Sequence, residues 1–312
     1  MNEAKFRYSV IIPHYNDVVR LQLSLLSIPI ERDDVQVIVI DDCSPNQSSL
    51  KSLKDKFPTV FWLSTRKNQG AGMARNIGIE TAMGDLLVFS DSDDEFLPGA
   101  FDVFDEEIKL EDDLTYFLAD ALQEVNAEPS NRADAINQLC LDYLRNQSSA
   151  SEERLRVRHV NPYPKVYRRR FILEQGLRYQ ESMVSNDIAF NVMAGVKANR
   201  LTVIPRPVYR IYRRADSLTG LGSSDLFLER VKVKADLASW LRANGINDLP
   251  RGTGYLVMSI RLGPIVLWKT AKLVFSSDLD VQWARVLSPL LWKDYLVRRI
   301  TTKREQRAAR AR

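Results

Sequence analysis

The stretch from residue 84 to residue 95 decides the fold: Gly-Asp-Leu-Leu-Val-Phe-Ser-Asp-Ser-Asp-Asp-Glu. Four consecutive apolar residues, closed by Gly84 on one side and by carboxylates on the other, predict a short strand buried on both faces. The acids fall at the carboxyl end of this strand, which is where open α/β sheets bind ligands. Asp91 and Asp93 offer hard oxygen ligands that suit Mg²⁺ or Mn²⁺. A bare Asp-x-Asp more often marks an acidic turn that caps the next helix, so a metal site has to be supported by the rest of the chain.

The first hundred residues repeat one pattern, an apolar strand followed by an amphipathic helix. We predict strands over residues 8–12, 35–40, 60–64 and 86–89. Helices are predicted over residues 17–28, from a cap near Asn46 to Phe57, and over 71–83, with Gly84 as the stop signal. After Pro98 we expect a helix over 101–110, a strand over 114–119 and a helix within 126–150. Nearly all-apolar strands that alternate with helices predict an α/β fold, a mostly parallel sheet with helices on both faces.

Three of the predicted strands end in polar clusters, namely residues 13–16, Asp41-Asp42 and residues 91–94. The carboxyl ends of parallel strands lie along one edge of a sheet, so these clusters are expected to converge. Two pairs of acids with Tyr15 able to offer an aromatic face between them indicate a nucleotide site.

A competing interpretation starts from residues 70–75, Gly-Ala-Gly-Met-Ala-Arg, which half-match the dinucleotide fingerprint G-x-G-x-x-G/A. Arg75 stands where that fingerprint has a small residue, and the loop follows the third strand rather than the first. We therefore expect Gly70 and Gly72 to allow a close backbone approach to ribose or phosphate at a helix N-terminus.

Composition and charge exclude several classes of protein. The 312 residues carry a formal net charge of +4, but residues 285–312 hold nine Lys or Arg against two acids, so the remainder is slightly acidic. This distribution argues against a nucleic-acid-binding core and places the basicity in a C-terminal tail. The two cysteines, Cys43 and Cys140, form no disulfide framework and suit a reducing compartment. We expect no signal peptide at the N-terminus and no membrane-spanning helix, because the apolar runs are too short to cross a bilayer.

Several motifs of the chain together resemble those of a known family. Four segments follow, in order and spacing, the pattern of family 2 glycosyltransferases with the GT-A fold: residues 9–16 (Ser-Val-Ile-Ile-Pro-His-Tyr-Asn), residues 39–44 (Val-Ile-Asp-Asp-Cys-Ser), residues 68–78 with Asn-Gln-Gly and Ala-Arg-Asn-Ile-Gly, and residues 84–94. Cys43 departs from the family, which usually has Gly at that position.

The resemblance implies a nucleotide-sugar donor, usually a UDP-sugar, and a divalent metal ion, Mn²⁺ or Mg²⁺. Asp93 would be the direct metal ligand, with Asp91 near it. The diphosphate needs a cation that a carboxylate can fix in place. The remaining positions implied for the nucleotide sugar are Pro13, Tyr15, Asp41, Asp42, Gly70, Asp91 and Ser92.

The acceptor half of the resemblance is less complete. Residues 179–190 are similar to the second acidic motif of the family, usually Glu-Asp, but here the pair is Asn186-Asp187. Asp187 keeps the implied role of catalytic base, and Glu181 is the next candidate. Residues 209–219 resemble the segment that closes over the diphosphate, so Arg213 and Arg214 would neutralise the departing nucleotide. The basic residues between 151 and 170 fit either a solvated face or a contact with substrate, and His159 is expected to be a packing or surface residue.

The sequence as a whole predicts a GT-A catalytic domain over residues 1–225, with a nucleotide-sugar half (1–97) and an acceptor half (98–225), followed by a helical region with a basic tail (226–312). Apolar stripes with Trp and Lys or Arg between residues 256 and 292 fit either an interfacial helix or packing on the catalytic domain. The expected function is inverting transfer of a hexose or N-acetylhexosamine to a surface-glycan or lipid-linked saccharide. We expect an enzyme on the cytoplasmic side, held peripherally on an anionic membrane. A nucleotide-sugar-binding protein without transfer activity is the alternative.

Overall fold

The structure, a computed structural model, describes residues 6–214 and 223–283. Contacts divide the chain into two compact units, residues 1–222 and residues 223–312. The first unit is an α/β domain, and the second is helical over its described part.

The sheet of the first unit is mixed and eight-stranded, with the order β3-β2-β1-β4-β7-β6-β8-β5. Strands β1 to β4 are parallel to one another, whereas β7 and β5 run antiparallel to their neighbours. The strands are β1 (Tyr8–His14), β2 (Val35–Asp41), β3 (Phe61–Ser64), β4 (Leu86–Phe89), β5 (Glu95–Phe96), β6 (Leu114–Gln123), β7 (Lys165–Arg168) and β8 (Leu201–Arg213).

Helices connect the strands of this unit and cover the sheet. They are α1 (Val18–Leu26), α2 (Gln47–Lys56), α3 (Ala71–Thr81), α4 (Ala100–Glu107), α5 (Asp134–Arg145), α6 (Ser149–Arg158), α7 (Arg169–Glu174) and α8 (Asn186–Lys197). Asp17 caps α1 and Asn46 caps α2 through side-chain oxygens that accept backbone N–H groups. The cap at Asn46 agrees with the prediction. Asn is favoured at this position because its side-chain oxygen accepts a backbone N–H of the first turn that has no partner within the helix.

Strands β1, β2 and β4 are buried on both faces because successive side chains enter two different hydrophobic clusters, whereas the edge strand β3 is partly exposed. Val10 and Ile12 of β1 belong to one cluster, together with residues of α1, α2 and α4. Ile11 belongs to the other, together with residues of α3, α7 and α8. Continuous apolar runs such as residues 86–89 are therefore required, which explains why the strands could be predicted from the sequence.

The role of Gly84 in the structure differs from the predicted role of a helix stop. Helix α3 ends at Ala82, which has extended backbone angles, so Gly84 is not the residue that stops it. A Cβ at Gly84 would lie 2.6 Å from the carbonyl carbon of Tyr8, so the position requires glycine for the close approach of two backbones.

The described part of the second unit consists of α9 (Ser224–Ala243), α10 (Thr253–Leu262) and α11 (Pro264–Phe275). The apolar stretch over residues 256–275 is divided between two helices, α10 and α11. Gly263, at φ +104°, separates them. No helix within the described residues is long and apolar enough to cross a membrane. The basic tail beyond Trp283 lies outside the described residues.

Candidate active site

The three polar clusters predicted to converge do lie together, because β2, β1 and β4 are adjacent parallel strands. His14 at the end of β1 is in register with Asp41 at the end of β2, and the amide of Asp42 donates to the carbonyl of His14 at 2.8 Å. The turn at residues 91–94 follows β4 at the same edge. The edge therefore collects carboxylates and one half-exposed aromatic ring, Tyr15, into a single region.

Asp42 organises the loop between β3 and α3. Its buried carboxylate accepts the backbone N–H groups of Gln69 and Gly70, at 3.0 Å and 2.6 Å, and the hydroxyl of Thr65 at 2.8 Å. Charge-assisted bonds of this kind fix the loop directly in front of α3. Gly70 has φ +87°, a conformation that glycine adopts without strain, and its close approach to ribose or phosphate stays a prediction.

Asp41 and Cys43 shape the turn after β2. The carboxylate of Asp41 is fully buried and accepts bonds from the backbone N–H and hydroxyl of Ser44 and from the amide of Gln47. Cys43 has φ +62°, a left-handed conformation, which accounts for the glycine that the related family usually has there. Asp41 thus supports the turn from inside, and its direct contact with a nucleotide stays a prediction.

The turn after β4 brings three carboxylates together. One oxygen each from Asp91, Asp93 and Asp94 lies within 4.8 Å of the others, a spacing that could hold a metal ion. Burial, and then the neighbouring charge of Asp91, raises the pKa of Asp93 to about 6. Burial and both neighbouring carboxylates also raise the pKa of Asp94 well above its usual range. The negative charge of three carboxylates this close together is not fully neutralised by neighbouring positive charges, so these residues fit a divalent cation.

The guanidinium of Arg214 supplies the positive charge next to this cluster. It forms an ion pair with Asp93 and lies 4.0 Å from Asp17. Arg213 is exposed and donates to Asn131 at 3.4 Å, so the two arginines do not act alike. Residues 215–219 of the motif lie outside the described residues.

The other residues of the region predicted to bind the nucleotide sugar differ in how deeply they are buried. Pro13 is buried within β1, and Ser92 is half-buried in the turn between Asp91 and Asp93. Asp94 is deeper, since its carboxylate accepts the backbone N–H of Tyr212 at 2.9 Å. The hydroxyl of Tyr209 accepts the N–H of Asp91 at 3.0 Å and thereby holds the start of the turn.

Arg75 is the residue that sequence reasoning missed. Its side chain is buried, donates to Asp91 at 2.6 Å and to the amide oxygen of Asn186 at 3.1 Å, and lies over the ring of Tyr179. One guanidinium fork therefore ties the acidic turn to the first residue of α8. The only sequence signal for this role is the motif Ala74-Arg-Asn. Within the same motif, the side-chain amide of Asn76 exchanges two hydrogen bonds with the backbone of Tyr179.

Asp187 lies in the first turn of α8, half-buried, directly after Asn186. The backbone of the segment before this helix packs closely against Gly70 and Gly72. A Cβ at Gly70 would come within 2.8 Å of the carbonyl oxygen of Ser182, and one at Gly72 within 2.1 Å of that of Gln180. The structure therefore brings the candidate base, the acidic turn and the Asp42 loop into one continuous site.

The basic segment around residue 160 is divided between exposed residues, Arg154 and Arg170, which agree with a solvated face, and others that are paired or buried. Arg156 pairs with Glu152, and Arg168 pairs with Asp113. Lys165 is buried and donates to the carbonyl of His159 at 2.6 Å, and burial lowers its pKa to about 7. His159 is fully buried, which agrees with a packing role.

The fold defines a class of protein, the glycosyltransferases with the GT-A fold. A solved structure of residues 1–349 of TarS from Staphylococcus aureus, bound to UDP-GlcNAc, superimposes with a TM-score of 0.54 at 20% identity, covering 87% of this chain and 73% of that one. A mannosyltransferase from Pyrobaculum calidifontis, bound to GDP-Man and Mn²⁺, gives a TM-score of 0.50 at 14% identity, covering 95% and 80%. These likenesses establish the fold.

The chain belongs to glycosyl transferase family 2, whose model matches residues 9–174, more than half of its length. The predicted family, fold and enzyme class are thus confirmed. YibD of Escherichia coli, an uncharacterized glycosyltransferase, is 28% identical over 73% of this chain and 68% of its own length. Three further uncharacterized glycosyltransferases, two from Haemophilus influenzae and one from Bacillus subtilis, are 35–40% identical over about 90 residues. The chain spans only 22–36% of the length of those three relatives.

Proposed function

We propose that this protein transfers a hexose or N-acetylhexosamine from a nucleotide sugar, a UDP-sugar in particular, to a hydroxyl group of a saccharide, with inversion at the anomeric carbon. The observation that carries the proposal is the arrangement around Arg75. It joins the acidic turn that suits a diphosphate and a cation to the helix that presents Asp187.

In this proposal Asp187 accepts the proton of the acceptor hydroxyl. That oxygen then attacks the anomeric carbon from the face opposite the nucleotide, and the bond between the anomeric carbon and the diphosphate oxygen breaks. Helix α8 holds the backbone of Asp187, because the side-chain amide of Asn191 donates to its carbonyl at 2.8 Å. The proton therefore moves to a carboxylate held on a rigid element.

On the donor side, Asp93 and Asp91 would hold Mn²⁺ or Mg²⁺, and such an ion stabilises negative charge on a departing diphosphate. Arg214, now paired with Asp93, lies where its guanidinium can also face the diphosphate. The loop fixed by Asp42 carries Gly70 at the N-terminus of α3, where backbone N–H groups favour an anion or a ribose hydroxyl. Tyr15, half-exposed beside these groups, would lie against the base.

We further propose that the acceptor is a growing surface glycan or a lipid-linked saccharide, reached by an enzyme that lies peripherally on the cytoplasmic face of an anionic membrane. Support comes from the sequence, since the net charge of residues 285–312 is +7. TarS of Staphylococcus aureus, named as a poly(ribitol-phosphate) β-N-acetylglucosaminyltransferase, acts by its name on a polymer, and it is 24% identical over 65% of this chain.

The test of the proposed function is a panel of nucleotide-sugar donors assayed for hydrolysis and transfer, with Asp187→Asn and Glu181→Gln compared. Asp187→Asn keeps size and polarity but cannot accept the proton, so turnover should fall roughly 10²-fold or more with donor affinity nearly unchanged. Glu181 is exposed, and Glu181→Gln should leave turnover unchanged. Saturable donor binding without any product from the wild type would favour the binding-protein alternative instead.

A further inference from the structure

Helix α11 presents an apolar stripe that the described protein leaves exposed. Ile265, Trp268 and Phe275 have 69%, 64% and 59% of their surface exposed. Together with Lys272 they follow spacings of three, four and three residues, which places them on one helix face. The opposite face is buried and packs against α9 and α10. The helix thus has two different apolar faces, and within residues 223–283 only the buried one is packed against other helices.

Trp283 extends this stripe. Its ring stacks on that of Phe275, with centroids 5.8 Å apart and planes 3° from parallel, while 53% of its surface remains exposed. We define the α11 patch as Ile265, Trp268, Phe275 and Trp283 with Lys269 and Lys272. Contiguous exposed aromatic and aliphatic side chains of this kind mark an interaction surface.

The charges around the α11 patch indicate the chemistry of its partner. From residue 249 to residue 277 the sequence has no Asp or Glu but four cations, Arg251, Arg261, Lys269 and Lys272. The ammonium of Lys272 lies 5.8 Å from the ring centroid of Trp268, so charge and aromatic surface alternate within the stripe. The cores of protein–protein interfaces are depleted of lysine. At the surface of a bilayer, in contrast, lysine contacts phosphate while Trp lies at the headgroup level.

We propose that the α11 patch is a membrane-docking surface that inserts its aromatic side chains into the headgroup region of an anionic bilayer. With twelve residues, α11 is about 18 Å long and cannot span the hydrocarbon core, so it lies in the plane of the interface. Lys269 and Lys272 then face lipid phosphates. The proposal rests on the peripheral-membrane part of the proposed function and is independent of sugar transfer.

Binding of the full-length protein to vesicles tests this directly. The vesicles contain phosphatidylcholine alone or equal parts of phosphatidylcholine and phosphatidylglycerol. We expect Trp268→Ala and Phe275→Ala each to weaken partitioning roughly tenfold, because each removes a large apolar side chain from the inserted face. Trp268→Phe should retain most of the binding. Lys269→Glu with Lys272→Glu should weaken binding to the anionic vesicles roughly tenfold or more.

Matched controls lie in the first unit. Leu110 is a 55% exposed apolar residue, and Lys51 and Lys109 are exposed lysines. Leu110→Ala, and Lys51→Glu with Lys109→Glu, should leave partitioning unchanged. Donor hydrolysis measured on the same variants separates this proposal from the proposed function, since the patch variants should hydrolyse donor normally.

Two results would overturn the proposal. The first is equal partitioning of the wild type, Trp268→Ala and the lysine variant. The second is a dimer in sedimentation velocity that Trp268→Ala dissociates without any change in vesicle binding, because the patch would then be an interface between two copies of the chain.

Discussion

Replacing Arg75 tests the link between the acidic turn and helix α8. Arg75→Met keeps an unbranched apolar stem in place of the arginine's methylene groups but leaves Asp91 without its cation and Asn186 without its donor. Removing one partner of a buried ion pair destabilises a protein by about 3–5 kcal/mol. Asp91 keeps 29% of its side chain exposed, so water can partly replace the guanidinium, and we expect the lower end of that range. For a unit of this size, about 3 kcal/mol corresponds to a melting temperature roughly 6–12 °C lower.

The assay is a double-mutant cycle of Arg75→Met and Asp91→Asn, followed by denaturant unfolding. If the two side chains support each other as the 2.6 Å contact indicates, the coupling free energy should be at least about 1.5 kcal/mol. Arg75→Lys keeps the charge but lacks the fork that serves two acceptors, so it should be intermediate. A coupling below about 0.5 kcal/mol would refute the reasoning, because the pair would then be incidental.

Three further predictions concern the metal, the tail and a buried lysine. Asp93→Ala should abolish transfer and leave the fold intact, and excess chelator should do the same to the wild type until Mn²⁺ or Mg²⁺ is added; full activity in chelator would exclude the metal. Deleting residues 298–312 should weaken binding to anionic vesicles and reduce its salt sensitivity, with donor hydrolysis retained; equal binding of both forms would show that the tail has no such role. The pKa of Lys165 is lowered to about 7, below its unfolded value, so its contribution to stability increases as pH rises from about 7 towards 10. Lys165→Met should therefore stabilise the protein more at pH 6 than at pH 9, by a few kcal/mol at most, and a difference independent of pH would contradict this.

Much of the donor side could be predicted because it depends on local rules. A strand buried on both faces must be apolar, and the carboxyl ends of parallel strands must meet, so Asp42, Asp91 and Asp93 could be placed at one edge of the sheet without a structure. Helix α9 falls within the region predicted to be helical, although its bounds were not predicted. The break at Gly263 was missed, because a single glycine within an apolar stretch is a weak stop signal.

The residues that connect the site were harder to find. Arg75 meets partners 16 and 111 positions away in sequence, and no spacing rule within one helix predicts such a meeting. Lys165 was counted among the basic residues of a solvated or substrate-facing segment, because only the packing around it shows that it is buried. Tyr209 was likewise quoted as part of a motif, whereas its hydroxyl positions the amide of Asp91.

The contact of Gly70 and Gly72 with the backbone of residues 180–183 has a consequence for protein engineering. At the two glycines the nearest atoms of the other segment are backbone carbonyl oxygens, so the two segments match largely by the shape of their main chains, which a change of side chain adjusts poorly. A chimera that joined residues 1–97 of this chain to the acceptor half of a relative would replace only one side of this contact. Changing acceptor specificity by recombination should therefore require the two segments to be exchanged together, even though more than a hundred residues separate them.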